Sequence, residues 1–386
     1  MCNKCNGGVN INSRERVLTS LNHKEPDRVP LYFGGTSSFL TDEAYFELKK
    51  YLNIQEEIEP YREGHTGNYF DQRILEKLDV DVRFVHLREL KASTNKNINN
   101  EIILDDWGIP IKKIHGYGVR INPPLANADD MDLRKHLWPN PYDPIRVEGL
   151  KKYAKYLRKN TDKAIVARSP QSAGFIEYGC WLRGAQLFFI DMISNKRFTE
   201  KLLDKILDIQ IGFYDALLKN VGTFIDIVET AEDYGTQESL MISPQLFREI
   251  IKPRRKVIND FIKNKCPQVK ILHHSCGAIF EIIEDLIEIG VDILNPIQPK
   301  AKNMNPLLIK EKFGSRISLC GGIDMQEAMV GGLDIITKEV KTRINQMAAQ
   351  GGFLLCVSNH VQRDIPPRNL IFLYEKAKEY GKYNKF

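Results

Sequence analysis

No apolar run in this chain of 386 residues approaches the roughly 20 residues that a membrane-spanning helix needs. The first residues, Met1-Cys2-Asn3-Lys4-Cys5-Asn6, contain no apolar stretch and do not read as a secretory signal. Seven cysteines, odd in number and widely spaced, do not form a disulfide framework, so a reducing cytoplasm is the expected setting. Cys2 and Cys5 make a CxxC with no second such pair, and they read as part of a flexible tail over residues 1–12. An excess of one charge is also missing, since 55 basic against 50 acidic residues leave a net +5. The densest basic cluster, Lys252-Pro253-Arg254-Arg255-Lys256, lies in an amphipathic stretch and reads as a solvated helix face. Neither nucleic acid nor a membrane is therefore expected as a partner.

What the chain does have is ordinary globular composition, 42% hydrophobic and 27% charged. Short β-rich apolar runs recur at residues 29–33, 81–86, 164–168, 224–229, 270–274, 291–295, 316–320 and 353–357. Between them lie segments with apolar residues at i, i+3, i+4 and i+7, among them 201–218, 245–261, 279–289, 335–348 and 369–380. Ser243-Pro244 opens one helix as cap and first residue, and Gly351-Gly352 follows the end of another. Strands alternating with helices imply parallel pairing through crossovers. Eight such units predict a single α/β domain over 13–386, a (β/α)8 TIM barrel. An open doubly wound sheet is the alternative, but no GxGxxG follows the first strand. Residues 13–22 predict an N-terminal helix that plugs or flanks the barrel, with Ser13 as its cap. Residues 100–127 break the rhythm and read as a β-hairpin insertion with a Gly-rich stretch at Gly116-Tyr117-Gly118, a candidate lid.

In such a barrel the active site lies where strands run into their following loops. The fourth strand ends in Glu229-Thr230-Ala231-Glu232-Asp233-Tyr234-Gly235-Thr236-Gln237, and the fifth in His273-His274-Ser275-Cys276-Gly277. The sixth ends in Asn295-Pro296-Ile297-Gln298, the seventh in Cys320-Gly321-Gly322-Ile323-Asp324, and the eighth in Cys356-Val357-Ser358-Asn359-His360. His274 and Cys276 stand two apart, so on an extended strand end they point to the same side. An imidazole and a thiolate so placed suit zinc; otherwise His274 is a hydrogen-bonded histidine and Cys276 a small buried residue. Candidates for a third ligand are Cys356, Cys320, His360, Glu229 and Glu232. Glu232 and Asp233 read as acid/base groups or substrate acceptors, or else as a solvated loop. Asp324 follows two glycines and either reaches a ligand or caps the next helix. Gln237 and Gln298 would orient a polar substrate, or pack the loops.

The run from His274 to Gly277, residues 286–298 (LIEIGVDILNPIQ), residues 321–326 (GGIDMQ) and residues 366–369 (PPRN) resemble the uroporphyrinogen decarboxylase superfamily. The opening segment from Arg14 to Pro30 and residues 233–237 (DYGTQ) are similar to the same group, so the likeness runs from about 13 to 382. The resemblance implies one of two activities, porphyrinogen decarboxylation or corrinoid-dependent methyl transfer. The decarboxylases carry an arginine-rich run after the first strand that holds the substrate's carboxylates. Here that stretch is Phe33-Gly34-Gly35-Thr36-Ser37-Ser38-Phe39-Leu40-Thr41, with no arginine. Buried carboxylates without cationic partners are costly, so the methyltransferase branch is the closer likeness.

That branch implies a zinc-assisted enzyme of anaerobic one-carbon metabolism, passing methyl groups between a small methylated substrate, of ether or thiol type, and a corrinoid protein. Its zinc motif is His-x-Cys with a second Cys at the end of the last strand. His274 and Cys276 fit the first part, but the downstream position falls on Asn359, three residues after Cys356. The expected metal set is therefore His274, Cys276 and Cys356, with His360 or a carboxylate as substitutes. Glu232, Asp233 and His360 are the expected proton-handling residues, and Tyr234, Gln237, Asn295, Gln298 and Asp324 the substrate contacts. The corrinoid would be carried by a partner protein, since no Asp-x-His-x-x-Gly signature occurs here. A homodimer is a further implication. The rival readings are a carboxy-lyase and a non-catalytic ligand-binding barrel.

Overall fold

A computed structural model describes residues 11–36, 38–90, 102–115, 117–171 and 173–383. The Cys2/Cys5 pair, most of the expected tail, and Gly116 in the insertion lie outside the described residues. The central sheet contains β1 (Val82–Val85), β5 (Ala164–Ala167), β6 (Ile227–Ala231), β7 (Lys270–His274), β8 (Ile293–Ile297), β9 (Ser318–Ile323) and β10 (Phe353–Val357). A separate sheet contains β2 (Ile102–Leu104), β3 (Pro110–Ile114) and β4 (Tyr117–Arg120). In the central sheet the strands follow one another in chain order, and every pair is parallel. Nearly all their residues are buried, as a parallel sheet covered by helices requires.

The sheet's two edges, β1 and β10, are joined by residues 30–32. Tyr32 N–H donates to Leu355 O (3.0 Å), Leu355 N–H to Pro30 O (2.9 Å), and Asp81 N–H to Leu31 O (2.9 Å). The predicted first strand is thus the eighth stave, but it makes one bridge, Leu31 to Leu355, and no ladder. Pro30 has no N–H to give. The Leu31 N–H is taken by the Asp81 carboxylate (2.8 Å), which leaves no room for a main-chain acceptor there. Asp81 is fully buried and is held by Arg16 (2.7 Å) and Arg28 (2.8 Å).

Predicted strands 270–274 and 353–357 match β7 and β10 to the residue. The strand predicted at 224–229 starts later, at Ile227, because Asp226 is an anchor. Its carboxylate accepts Ile165 N–H (2.9 Å) and pairs with Arg14 and Arg158. The strand predicted at 316–320 runs on to Ile323 through Gly321 and Gly322. The N-terminal helix Ser13–Leu21 is capped by Asn12, not Ser13: Asn12 Oδ1 accepts Glu15 N–H (2.9 Å) and Glu15 answers to Asn12 N–H (3.0 Å). Ser20 Oγ bonds both backbone groups of Phe353, so the helix covers the amino ends of the strands and leaves the opposite face open.

The insertion is an antiparallel meander of three strands, with β3 between β2 and β4, where a two-stranded hairpin was expected. The first of its two turns is closed by Asp105, which accepts Trp107 and Ile109 N–H groups (2.9 Å each). Among the described residues no helix is long and apolar enough to cross a membrane.

Candidate metal centre

At the carboxyl end of β7 the side chains of His274 and Cys276 do point the same way, and the loop after β6 brings Asp233 to them. His274 Nε2 lies 3.4 Å from Asp233 Oδ1 and 3.6 Å from Cys276 Sγ. One donor atom from each residue lies within 4.8 Å of the others. The Cys276 N–H donates to Asp233 Oδ1 (2.8 Å) and fixes that carboxylate. Gly277 then turns the chain with φ of 86°, and a Cβ there would sit 2.4 Å from Gly235 O. Only glycine lets these two loops approach so closely.

The pattern separates a metal site from a nucleophilic relay. In a relay the imidazole takes a proton through one nitrogen and is oriented through the other. Here thiol and carboxylate both face Nε2, while Nδ1 is engaged by Asn295 Oδ1 at 3.1 Å. Asn295 in turn donates from Nδ2 to Cys320 Sγ (3.3 Å). With a carbonyl oxygen at Nδ1, one proton is held there, so it is the Nε2 proton, between thiol and carboxylate, that a metal would displace, as second-shell partners of metal-binding histidines arrange. Tetrahedral zinc, with bonds of roughly 2.0–2.3 Å, holds ligand atoms about 3.3–3.6 Å apart. The donor set is therefore compatible with zinc in chemistry, and the two separations from His274 Nε2 match that spacing.

The charges answer each other. Burial alone would push the His274 imidazole down, but the Cys276 thiol and the Asp233 carboxylate hold it well above its ordinary value. Burial would raise Asp233, yet the hydrogen bond and charge of His274 keep it low. Burial and the Asp233 charge raise the Cys276 thiol.

The other expected residues fall into distinct places. Cys356 is not at the cluster. It is fully buried on β10, beside the Cys320 thiol and the Tyr374 hydroxyl. Asn359 is the residue that reaches Cys276, with Nδ2 3.7 Å from Sγ. An amide thus stands where the resemblance implies a thiol, and the carboxylate of Asp233 completes the triad. Glu229 points elsewhere, accepting Tyr32 Oη (2.5 Å) and Thr36 Oγ1 (2.8 Å). A Cβ on Gly35 would meet that carboxylate at 2.2 Å, which accounts for glycine there.

Glu232 and Tyr234 are built into the wall. Glu232 is fully buried, accepts Ile176 N–H (2.6 Å) and pairs with buried Arg255 at 2.9 Å. Neither the basic run around Arg255 nor Glu232 is thus a simple solvated segment; the two share one buried ion pair. Tyr234 is buried between His273 and Phe247, because alternation along β7 turns His273 away from His274. Gln298 accepts Gly277 N–H (2.9 Å) and donates to Gln237 Oε1 (3.2 Å), and Gln237 donates to Lys300 O (2.5 Å). These amides tie together the loops after β6, β7 and β8. Asp324 caps its own turn, accepting N–H groups from Gln326, Glu327 and Ala328. Gln298, Asp324, Asn359 and His360 nevertheless line one cavity of ≈ 190 Å³. His360 stacks on Phe39 at 3.9 Å, and its charge helps to hold Asp233 low.

Glu177 was missed by sequence reasoning. It stands at the third position of the helix Phe175–Arg183, accepts Gly174 N–H (3.0 Å), and receives Asp233 N–H at 3.4 Å. Burial and then the Asp233 charge push its carboxyl up to about 8. Residues 174–177 (GFIE) do show a capping spacing, but its approach to Asp233 depends on a loop that spacing does not report.

Three comparisons with known proteins bear on this geometry. A sequence model of the family described as uroporphyrinogen decarboxylase (URO-D) matches residues 101–380. Among solved structures, a methyltransferase from Methanosarcina mazei is similar, with a TM-score of 0.64 and 18% identity, over 96% of this chain and 99% of that one. At that identity the likeness is one of fold. An alpha-amylase from Lactobacillus plantarum aligns over 94% of this chain and 81% of its own, at 10% identity and a TM-score of 0.38, too low to carry an argument. A search among curated proteins gives no match.

Proposed function

The chain belongs to the uroporphyrinogen decarboxylase family, and from that premise we propose that it is a zinc-assisted methyltransferase serving a corrinoid protein. The observation that carries the reading is the convergence of Asp233, His274 and Cys276 on one point, at the working end of a barrel. Those three residues would hold the metal, which when bound supplies Lewis acidity toward a substrate oxygen or sulfur. Asn295 keeps His274 Nε2 aimed at the site, and the Cys276 N–H keeps the Asp233 carboxylate in place. The cavity lined by Gln298, Asn359 and His360 receives the methyl-bearing end of the small substrate. In the donor direction the bond between methyl carbon and heteroatom breaks. Its electron pair would stay on the heteroatom, the methyl group would pass to the partner protein's reduced corrinoid as acceptor, and His360 would deliver the proton that the heteroatom needs.

Decarboxylation of a porphyrinogen is disfavoured by the loop after the first stave, which has no arginine from Phe33 to Thr41. A direct test combines zinc-loaded protein with free cobalt(I) cobalamin and a panel of methyl ethers and methyl thioethers, read by the absorbance of methylcobalamin. The expected result is formation with at least one donor, abolished by His274→Ala and by Cys276→Ser. Loss of CO₂ from uroporphyrinogen without methyl transfer would overturn the reading.

A further inference from the structure

A second concavity lies at the ends of β1 and β5, under the three-stranded sheet. Its volume is ≈ 80 Å³, several times what a single water needs. Five arginines line it, and two of them are matched: Arg146 pairs with Asp106 (2.5 Å) and Arg88 with Glu148 (2.8 Å). Arg62, Arg120 and Arg168 have no carboxylate in salt-bridge range among the described residues. Arg62 and Arg168 are only 7% and 5% exposed. Arg62 Nε donates to Gly67 O (2.7 Å), and Arg168 reaches the Tyr61 hydroxyl (2.6 Å) and, more weakly, Gly35 O (3.4 Å). Arg120 lies over the Trp181 ring at 3.6 Å. The buried Nε atoms of both Arg120 and Arg168 lack any hydrogen-bond partner among the described residues.

These guanidiniums feel one another. Burial lowers Arg62, and the charges of Arg168 and Arg120 lower it further. Half-buried His86 is pushed down to about 4 by desolvation and by Arg168, so it adds no charge at neutral pH. Two half-buried carboxylates stand near the three guanidiniums, Glu89 beside His65 at 3.2 Å and Asp105 in its turn. Glu63 on the rim is exposed. Three guanidiniums thus share one partly open concavity with Glu63, Glu89 and Asp105, none of which lies within salt-bridge range of them among the described residues, and their fork-shaped donors face its interior. Charge-assisted, bidentate partners of guanidinium are carboxylates and tetrahedral oxyanions, and a buried charge without one is costly.

We propose that this cavity seats the oxyanion head group of a small substrate, held by Arg62 and Arg168 with Arg120 closing over it from the three-stranded sheet. The assignment rests on the reading of the barrel mouth as the catalytic end. Tyr178, in the cavity wall, adjoins Glu177, which touches Asp233, so head group and reacting group would sit at the same face. The substrate class is then a small anionic methyl donor or acceptor.

The test uses metal-free protein without corrinoid, titrated calorimetrically with sodium sulfate, phosphate or acetate at constant ionic strength set with chloride. Saturable binding of at least one anion is expected, weakened roughly 10-fold or more by Arg168→Gln and by Arg120→Gln, and less by Arg168→Lys. Acetate alone would identify a carboxylate head, and sulfate or phosphate a tetrahedral one. If Arg168→Gln fails to fold, Arg120→Gln decides, because its guanidinium sits on the inserted sheet outside the barrel core. Absence of saturable binding, or equal affinity in folded variants, would overturn the proposal. Neither result bears on methyl transfer, which the zinc-loaded assay reads separately.

Discussion

His274 serves a metal only if its Nδ1 carries the proton, and a single amide, Asn295, sets that condition at 3.1 Å. Removing such an outer partner typically costs 10–100-fold in metal affinity, and Asn295→Ala is expected to weaken zinc binding by roughly that factor in competition with a chromophoric chelator. Unchanged affinity would mean that the tautomer is held by other means. Glu232 behaves differently. Its buried pairing with Arg255 makes it a piece of the wall. Glu232→Gln is expected to cost about 3–5 kcal/mol in urea unfolding, because Arg255 is left as an uncompensated buried charge, while bound zinc stays stoichiometric. At this scale the sequence was legible where spacing settles direction, as for His274 and Cys276 on one strand end. It was silent where a loop settles it. Asp233 and Glu232 are adjacent in sequence, yet one meets the imidazole and the other an arginine behind the strand.

Elements carry the next level of control. β7 and β10 were readable to the residue because uninterrupted buried strands leave a continuous apolar run. The start of β6 was not, since the anchoring side chain of Asp226 decides where pairing begins. The insertion was recognised but read with one turn too few: the turn that Asp105 closes lies between the two expected arms, whereas β3 and β4 pair with each other inside the single stretch 109–119 that read as one arm. The segment after β1 brings His86 into the arginine-lined cavity, where burial and Arg168 depress it to about 4. Because the folded value lies below the ordinary one near 6.5, the folded state binds fewer protons. Stability that His86 contributes at neutral pH is therefore lost as pH falls from about 6.5 through about 4. Melting of the wild type is expected to fall more steeply between pH 7 and pH 5 than that of His86→Gln, a difference of roughly 2 kcal/mol at most. Parallel pH profiles would refute the assignment.

In the whole molecule, closure of the barrel depends on one buried carboxylate. Asp81 binds the Leu31 N–H and two arginines, Arg16 and Arg28, across the seam between β1 and the stave at residues 30–32. Asp81→Ala leaves Arg28 unmatched and Arg16 with Asp27 alone, and a loss of about 3 kcal/mol is expected on denaturant unfolding. A loss below about 1 kcal/mol would mean that the seam is held by its three backbone bonds alone. The barrel as a whole was legible from eight apolar runs and the helical patterns between them. The weakness of the first stave was not, because it arises from Pro30 and from a side chain fifty residues away. Closure sets the strand ends in a ring, and the ring brings Asp233 and Asn359 to Cys276 from β6 and β10.

The central claim is that Asp233, His274 and Cys276 are the metal ligands, with Cys356 outside the set. Zinc K-edge X-ray absorption on the loaded protein counts the sulfur ligands directly. One sulfur at roughly 2.3 Å with nitrogen and oxygen near 2.0–2.1 Å is the expected spectrum. Two sulfurs, or a protein that retains no zinc, would contradict the account.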